Sequence, residues 1–395
     1  MNPSATGWIK KFGHLIQEKQ ELYVDQNHLY QVLLANGFVY GIHLTPPPFA
    51  VAEHSYTEDE IAKINLLTAL YFSYKFETQK TDFSHFVSMV FEYYKLMNLG
   101  QIGFLDKILI GKKTEDQLEK LLDSRIYLNG SAFSRAFGNS LTNSLLYVDV
   151  LIFKEFLRGN PDIKSHAELL EYVTINIAYQ ALNSKETRKS DEKLLEILAA
   201  SLSYVDLNET HFEHSFYELL SLKFSESEKK YLLDIACLTV WEDGKLEQEE
   251  SDFIYEVGYG LNRDKNTIAE AVKNVLIFFD ENREKIPYLK ELNMASQFYD
   301  GMTKNVSKLI LRNSKRLKKE LVESKELLQL LAKSTKQDLT PQERKKMQQQ
   351  LLDLFKSIPS LAIFMLPGGA VLLPIFIKLI PQLLPSAFDD NRIDK

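Results

Sequence analysis

Cysteine is almost absent: Cys237 is the only one in 395 residues. That excludes an internal disulfide framework and any multi-cysteine zinc site. Glycine is scarce at 16 residues, and valine is outnumbered by leucine, 17 to 60. Leucine is a good helix former and β-branched valine favours strands, so the chain is predicted to be all-α. No alternating segments flank an Asn-Gly turn, since Asn129-Gly130 lies between helical patterns. A positive excess is also missing. The formal net charge of -7 argues against a surface built wholly for nucleic acid, and no DNA partner is expected. P-loop, G-x-G-x-x-G and G-x-S-x-G motifs are absent as well, so neither an enzyme nor a cofactor is expected. The first twenty residues lack the apolar core of a secretory signal, which predicts a bulk that stays in the cytosol. Cys237, between Ala236 and Leu238, then reads as a reduced core thiol.

What is present is helical periodicity. Ile61, Leu66, Ala69 and Phe72 recur at helical intervals, as do Leu232, Ile235, Ala236 and Thr239. Thr57 with Glu60 and Ser225 with Glu228 read as capping boxes that open helices. Residues 20–52 are the exception: Tyr23, Val24, Phe38, Val39 and Tyr40 could form short strands. A chain of this length suggests two or three domains. Breaks at Pro46-Pro47-Pro48, Gly159-Asn160-Pro161, the polar stretch 183–190 and Pro287 divide it. The expected order is an N-terminal helical region (1–125), a second helical region (126–209), a compact helical unit (210–292), a basic neck (300–350), an apolar segment (351–388) and a tail (389–395).

Charge is unevenly spread along this order. Residues 304–350 hold 13 Lys/Arg against 5 Asp/Glu and residues 351–395 are balanced, so the total of -7 leaves -15 for residues 1–303. Within the neck, Val306, Ile310, Leu317, Leu321, Leu328 and Leu331 mark one face of a long helix with a break near Pro341. Lys304, Lys308, Arg312, Lys315, Arg316, Lys318 and Lys319 crowd its first half, and Arg344, Lys345 and Lys346 follow. Three readings stand: a solvated face beside an acidic body, a polybasic segment for anionic lipid, or a surface for ribosomal RNA phosphate.

From Ser357 to Ile377 the chain carries no charge over 21 residues, between Lys356 and Lys378. As a helix this run spans about 31 Å, near the roughly 30 Å of a bilayer core. Pro359, Pro367, Pro374, Pro381 and Pro385 are five of the twelve prolines, and Gly368-Gly369 sits among them. Three arrangements remain open: a kinked span, a re-entrant hairpin turning at Pro367-Gly368-Gly369, or a buried irregular core segment. Membrane association is the favoured expectation, single-pass or re-entrant, with Lys378 snorkelling to the far interface. The positive-inside rule places the neck on the cytosolic side.

The C-terminal stretch resembles the leucine-zipper/EF-hand transmembrane (Letm) family. The resemblance rests on the basic Glu343-Arg344-Lys345-Lys346 run, and on Asp353-Leu354-Phe355 six residues before Pro359. It continues through Pro367, Leu372-Leu373-Pro374, Lys378, Pro381 and Leu384-Pro385-Ser386-Ala387-Phe388. It implies an inner-membrane segment linked to cation/proton exchange and to ribosome binding. The overall layout is similar to bacterial Letm-related proteins described as biofilm-associated. Where Letm proteins often carry an acidic residue in mid-span, this chain has Gly368, Gly369 and Ala370, so Asp353 is the nearest carboxylate in sequence. The expected function is a membrane-anchored, ribosome- or envelope-associated interaction protein, or alternatively part of a cation/proton exchanger, which would require a homo-oligomer.

Residues 228–290 resemble a TerB-like (tellurite-resistance) helical domain through a helix ending at Trp241, the Asp243-Gly244 turn and acidic residues opening the next helix. The resemblance implies a weak cation site of Asp243 and Glu250, with Asp234. An EF-hand loop with Gly244 at its sixth position would place Thr239 and Trp241 where oxygen ligands belong, so calcium binding of that kind is rejected. His211 and His214 with Glu218 could hold a divalent ion, although a polar helix start explains them equally well.

Overall fold

The computed structural model describes residues 1–50, 55–97, 114–126, 137–183, 189–205, 215–241, 248–286, 294–335, 337–358, 361, 364–365 and 368–385. Among these every regular element is a helix, as the leucine-rich composition predicts. The N-terminal half runs α1 (Trp8–Gln17), α2 (Gln26–Ala35), α3 (Glu58–Thr78), α4 (Phe83–Leu96), α5 (Thr114–Ile126), α6 (Phe137–Leu157), α7 (Ile163–Asn183) and α8 (Lys189–Val205). It continues through α9 (Phe216–Leu220), α10 (Glu226–Val240), α11 (Gln248–Gly260) and α12 (Lys265–Asn282). The C-terminal part comprises α13 (Met294–Arg312), α14 (Ser314–Glu323), α15 (Lys325–Ser334), α16 (Pro341–Ser357) and α17 (Gly369–Leu383).

Helix α3 is buried almost all round, from Ile61 to Tyr74, which marks it as a central helix rather than a surface one. Thr57 accepts from the Glu60 N–H, and the Glu60 carboxylate accepts from the Thr57 N–H at 2.9 Å, so the predicted capping box forms. The same exchange opens α10, where Glu228 accepts from the Ser225 N–H at 2.7 Å. Helix α6 ends at Leu157 and α7 begins at Ile163, with Gly159 at φ 81 in the turn between them.

The short strands expected in residues 20–52 do not form. Tyr23 and Val24 precede the Asp25 cap of α2, and Phe38, Val39 and Tyr40 lie in turns that fold back on it. Phe38 N–H donates to the Leu33 carbonyl at 2.9 Å and Ile42 N–H to the Gly37 carbonyl at 2.9 Å. These local acceptors take the bonds a ladder would need. Gly37 sits at φ 81, and a Cβ there would lie 2.0 Å from the Ile42 carbonyl oxygen, so the turn requires glycine. The aromatic side chains serve as anchors instead: Tyr40 meets Phe278 of α12 at 4.9 Å.

Two ionic contacts, one buried and one half-buried, fasten the helices of the body. Arg125 of α5 donates to Asp149 of α6 from Nε at 2.7 Å and from Nη2 at 3.2 Å, and the Tyr94 hydroxyl of α4 adds a third bond at 2.9 Å. His166 of α7 meets Glu228 of α10 at 2.6 Å, where the hydrogen bond and charge of each partner oppose the cost of burial. The imidazole is held above its usual range and the carboxyl below. The histidine contribution is complete below its unfolded pKa and is lost as pH rises through the raised value; the glutamate contribution is lost as pH falls through its lowered value. His166→Gln should therefore lower the urea midpoint at pH 5.5 and do so much less at pH 8.5. An equal loss at both pH values would rule out the ionic contact.

The neck is more segmented than one long helix. Helix breaks separate α13, α14 and α15 at Asn313 and Ser324. The predicted apolar face survives them: Val306, Ile310, Leu317, Leu321, Leu328 and Leu331 are all buried. Helix α13 packs on α6, α8 and α17, so the neck's first helix belongs to the body.

Candidate functional site

The C-terminal unit is built from the neck outward. Thr340 caps α16, with Pro341 in its first turn and Glu343 returning the bond to the Thr340 N–H at 3.0 Å. Glu343 also accepts from Lys333 of α15 at 2.6 Å, and these contacts hold its carboxyl down to about 2. Lys346 pairs with Glu326 across the same two helices. Helix α16 buries Met347, Leu351, Leu354 and Phe355, and Gln348 reaches the Ser203 carbonyl of α8 at 3.2 Å. Asp353 is exposed and pairs with Lys356 at 2.9 Å, which explains its place at the edge of the apolar run without a ligand.

Phe355, Phe364 and Phe376 form a ring cluster with centroids 4.7–5.3 Å apart. It ties α16 to α17. Helix α17 packs against α13 and α8 and also touches α15. It buries Val371, Leu372, Leu373, Ile375, Phe376, Ile377 and Ile380, leaves Lys378 exposed, and tolerates Pro374 and Pro381 inside. Its 15 residues rise about 22 Å, short of a bilayer core. Among the described residues no helix is long and apolar enough to cross a membrane. Of the apolar run, helix α17 is seated against the body, as a buried segment would be. Gly369 begins the helix, and Pro385 is exposed just after it. Pro359 and Pro367 lie outside the described residues.

Gly368, at φ 92, precedes α17 and has no side chain to cap it. A carboxylate arrives instead from far upstream: Glu171 of α7 accepts from the Gly368 N–H at 2.7 Å. The Ala370 N–H also acts on it. Burial is the largest influence on this carboxyl and pushes it up to about 7, against the opposing pull of these N–H groups and of Arg125. The arrangement has a twin at the other end of the chain. Gly7, at φ 90, precedes α1, and Glu119 of α5 accepts from the Gly7 and Ile9 N–H groups at 2.9 and 3.1 Å. Sequence reading missed Glu171. Its only signal is an acidic residue inside the apolar run Leu169-Leu170-Glu171-Tyr172-Val173.

The basic residues sit on the outside of the same unit. Lys308, Arg312, Lys315, Arg316 and Lys319 are exposed and Lys318 is half-buried. Lys308, Lys315, Arg316, Lys318 and Lys319 make no ion pair among the described residues. Leu311 and Val322, 54% and 40% exposed, lie among them. Arg344 is half-buried and Lys345 exposed on α16.

Among the described residues no group of three His, Cys, Asp or Glu side chains could hold an ion. Asp243, His211 and His214 lie outside the described residues. Glu218 closes the Ser215 capping box of α9, accepting from the Ser215 N–H at 2.6 Å, as the polar-helix-start reading expects. Glu250 is buried in the first turn of α11. Asp234 accepts from the Tyr30 hydroxyl at 2.5 Å, and burial pushes its carboxyl up to about 7. Cys237 is buried, as predicted.

No curated protein and no solved structure matches this chain. A family model described as LETM1-like, RBD matches residues 339–395, which begins at the end of the α15–α16 turn and includes α17. The C-terminal unit, from the Thr340 cap to α17, is therefore the part of the chain that is similar to the Letm family.

Proposed function

We propose that the protein is a non-enzymatic interaction protein that docks on an anionic membrane surface through α13 and α14 and anchors there by its Letm-like apolar segment. The observation that carries this reading is a surface of unpaired lysines and an arginine, studded with exposed Leu311 and Val322, on helices continuous with the one that packs α17. Each basic residue near an anionic leaflet contributes about 1 kcal/mol, and exposed leucine and valine add apolar contact at the interface. The acidic body, including the TerB-like α10–α12, projects into the cytosol and engages partners. Flotation on vesicles of phosphatidylglycerol and phosphatidylcholine in equal parts tests this. Binding should be strong at low salt, absent with phosphatidylcholine alone, and weakened as the Debye length falls from about 10 Å at 0.1 M to about 3 Å at 1 M. Equal flotation on both compositions would sink the electrostatic reading.

A second reading is favoured by the RBD in the matched family description. The same unpaired cations suit ribosomal RNA phosphate, and log affinity would then fall linearly with log salt. Co-sedimentation with purified ribosomes in competition with the anionic vesicles separates the two: the membrane reading expects vesicles to win, the ribosome reading the reverse.

A further inference from the structure

Sequence alone leaves the apolar run without a carboxylate, and the fold supplies one. Glu171, 197 positions before Gly368, is buried on α7 and fills the N-terminus of α17, where unsatisfied N–H groups and the helix dipole favour an acceptor. The helix it caps is otherwise unlike its neighbours. It carries two internal prolines, and the side chains it buries are apolar. Its one charged residue, Lys378, points to water. Gly368 brings no cap of its own, so Glu171 provides the polar fixation of this end of α17.

We infer that Glu171 is a proton-controlled latch on α17: protonated it keeps the apolar helix seated in the body, and ionised it lets the helix leave for lipid. The inference rests on the membrane reading above and adds its regulation. The chemistry follows from the surroundings. A neutral carboxyl offers its carbonyl oxygen to the Gly368 N–H without burying a charge. An ionised one bonds more strongly but must stay desolvated, and burial is the largest influence upon it. The groups acting on it are Arg125 from α5, which favours ionisation, and Glu168 on α7 itself, which opposes it; Tyr231 of α10 feels its charge. Arg125 is already engaged by Asp149 of α6. Glu192 and Glu196 of α8 and Lys304, Lys308 and Arg312 of α13, on the helices that flank α17, are exposed to water. The sign is that of a carboxyl raised in the folded state: the seat is firmest at low pH and loosens as pH rises through about 7.

Hydrogen exchange of residues 369–383 in the full chain, corrected for the intrinsic rate, reads the seat directly. Wild type should open roughly tenfold more at pH 8.5 than at pH 6, as expected for a carboxyl moving between about 4.5 and about 7. Glu171→Gln, which mimics the protonated form, should stay protected at both. Glu171→Ala, which leaves the Gly368 and Ala370 N–H groups without an acceptor, should open at both, with exchange of α3 reporting any global unfolding. A Gln variant that opens with pH as wild type does, or a wild type that does not open, overturns the latch. Flotation on the anionic vesicles at pH 8.5 in high salt separates this from the membrane reading. A working latch in a chain that never floats would defeat the membrane reading alone. Flotation that is strong and equal in wild type and the Gln variant would defeat the latch alone.

Discussion

Asp149→Ala should destabilise the protein by about 3–5 kcal/mol, the largest effect expected of any single substitution outside the hydrophobic core. Asp149 is fully buried and Arg125 is 5% exposed, so neither can turn to water when its partner goes. Removing the carboxylate takes the ionic partner from a buried guanidinium and the acceptor from the Tyr94 hydroxyl together. The penalty comes from the unpaired charge more than from the lost bond, and the double variant Arg125→Met/Asp149→Leu should recover most of the stability. A urea titration of the three variants measures this. Equal losses in the single and double variants would show that packing, not the buried pair, sets the cost. The pair also bears on the C-terminal unit, because Arg125 lies close enough to Glu171 to favour its ionised form.

Neutralising the basic face should have the largest effect on binding. Lys308, Lys315, Arg316 and Lys319 are exposed and make no ion pair among the described residues, so changing all four to glutamine leaves no group behind unsatisfied. Stability should shift little, as exposed substitutions usually move it by about 0.5 kcal/mol or less. Affinity for the anionic vesicles should fall by about 4 kcal/mol, roughly a thousandfold, if each charge contributes its usual share. Retained affinity in the quadruple variant at low salt would place the docking surface elsewhere. Leu311 and Val322 remain in that variant, so any residual binding should resist salt.

How much of this was legible in the sequence varies with the range of the interactions. Local patterns read well: the Thr57–Glu60 and Ser225–Glu228 boxes form, and six apolar positions from Val306 to Leu331 line one buried face. Periodicity survives the breaks at Asn313 and Ser324 because burial follows the side-chain face, not the continuity of the helix. The β-branched and aromatic residues at 38–40 misled, since residue types that favour strands serve here as core anchors, Tyr40 against Phe278 of α12. The apolar segment was legible in composition and family character, yet its seat was not. The N–H of Gly368 meets a carboxylate 197 residues away, and no local spacing encodes that contact. The same holds for Glu119 at the start of α1. Both are buried acidic residues, and a buried carboxylate points to a distant polar partner once burial is known.

The central claim is that α17 exchanges its seat in the body for lipid, and a single label tests it. Gln382 is exposed at the end of α17, and the chain's one cysteine, Cys237, is buried with its thiol pushed well above the usual range. A fluorophore on Gln382→Cys therefore reports α17 alone. On anionic vesicles whose acyl chains carry a quencher, at pH 8.5, its emission should be quenched in proportion to the bound fraction. Full binding without quenching would show that the basic face docks while α17 stays in the body, and would contradict the account.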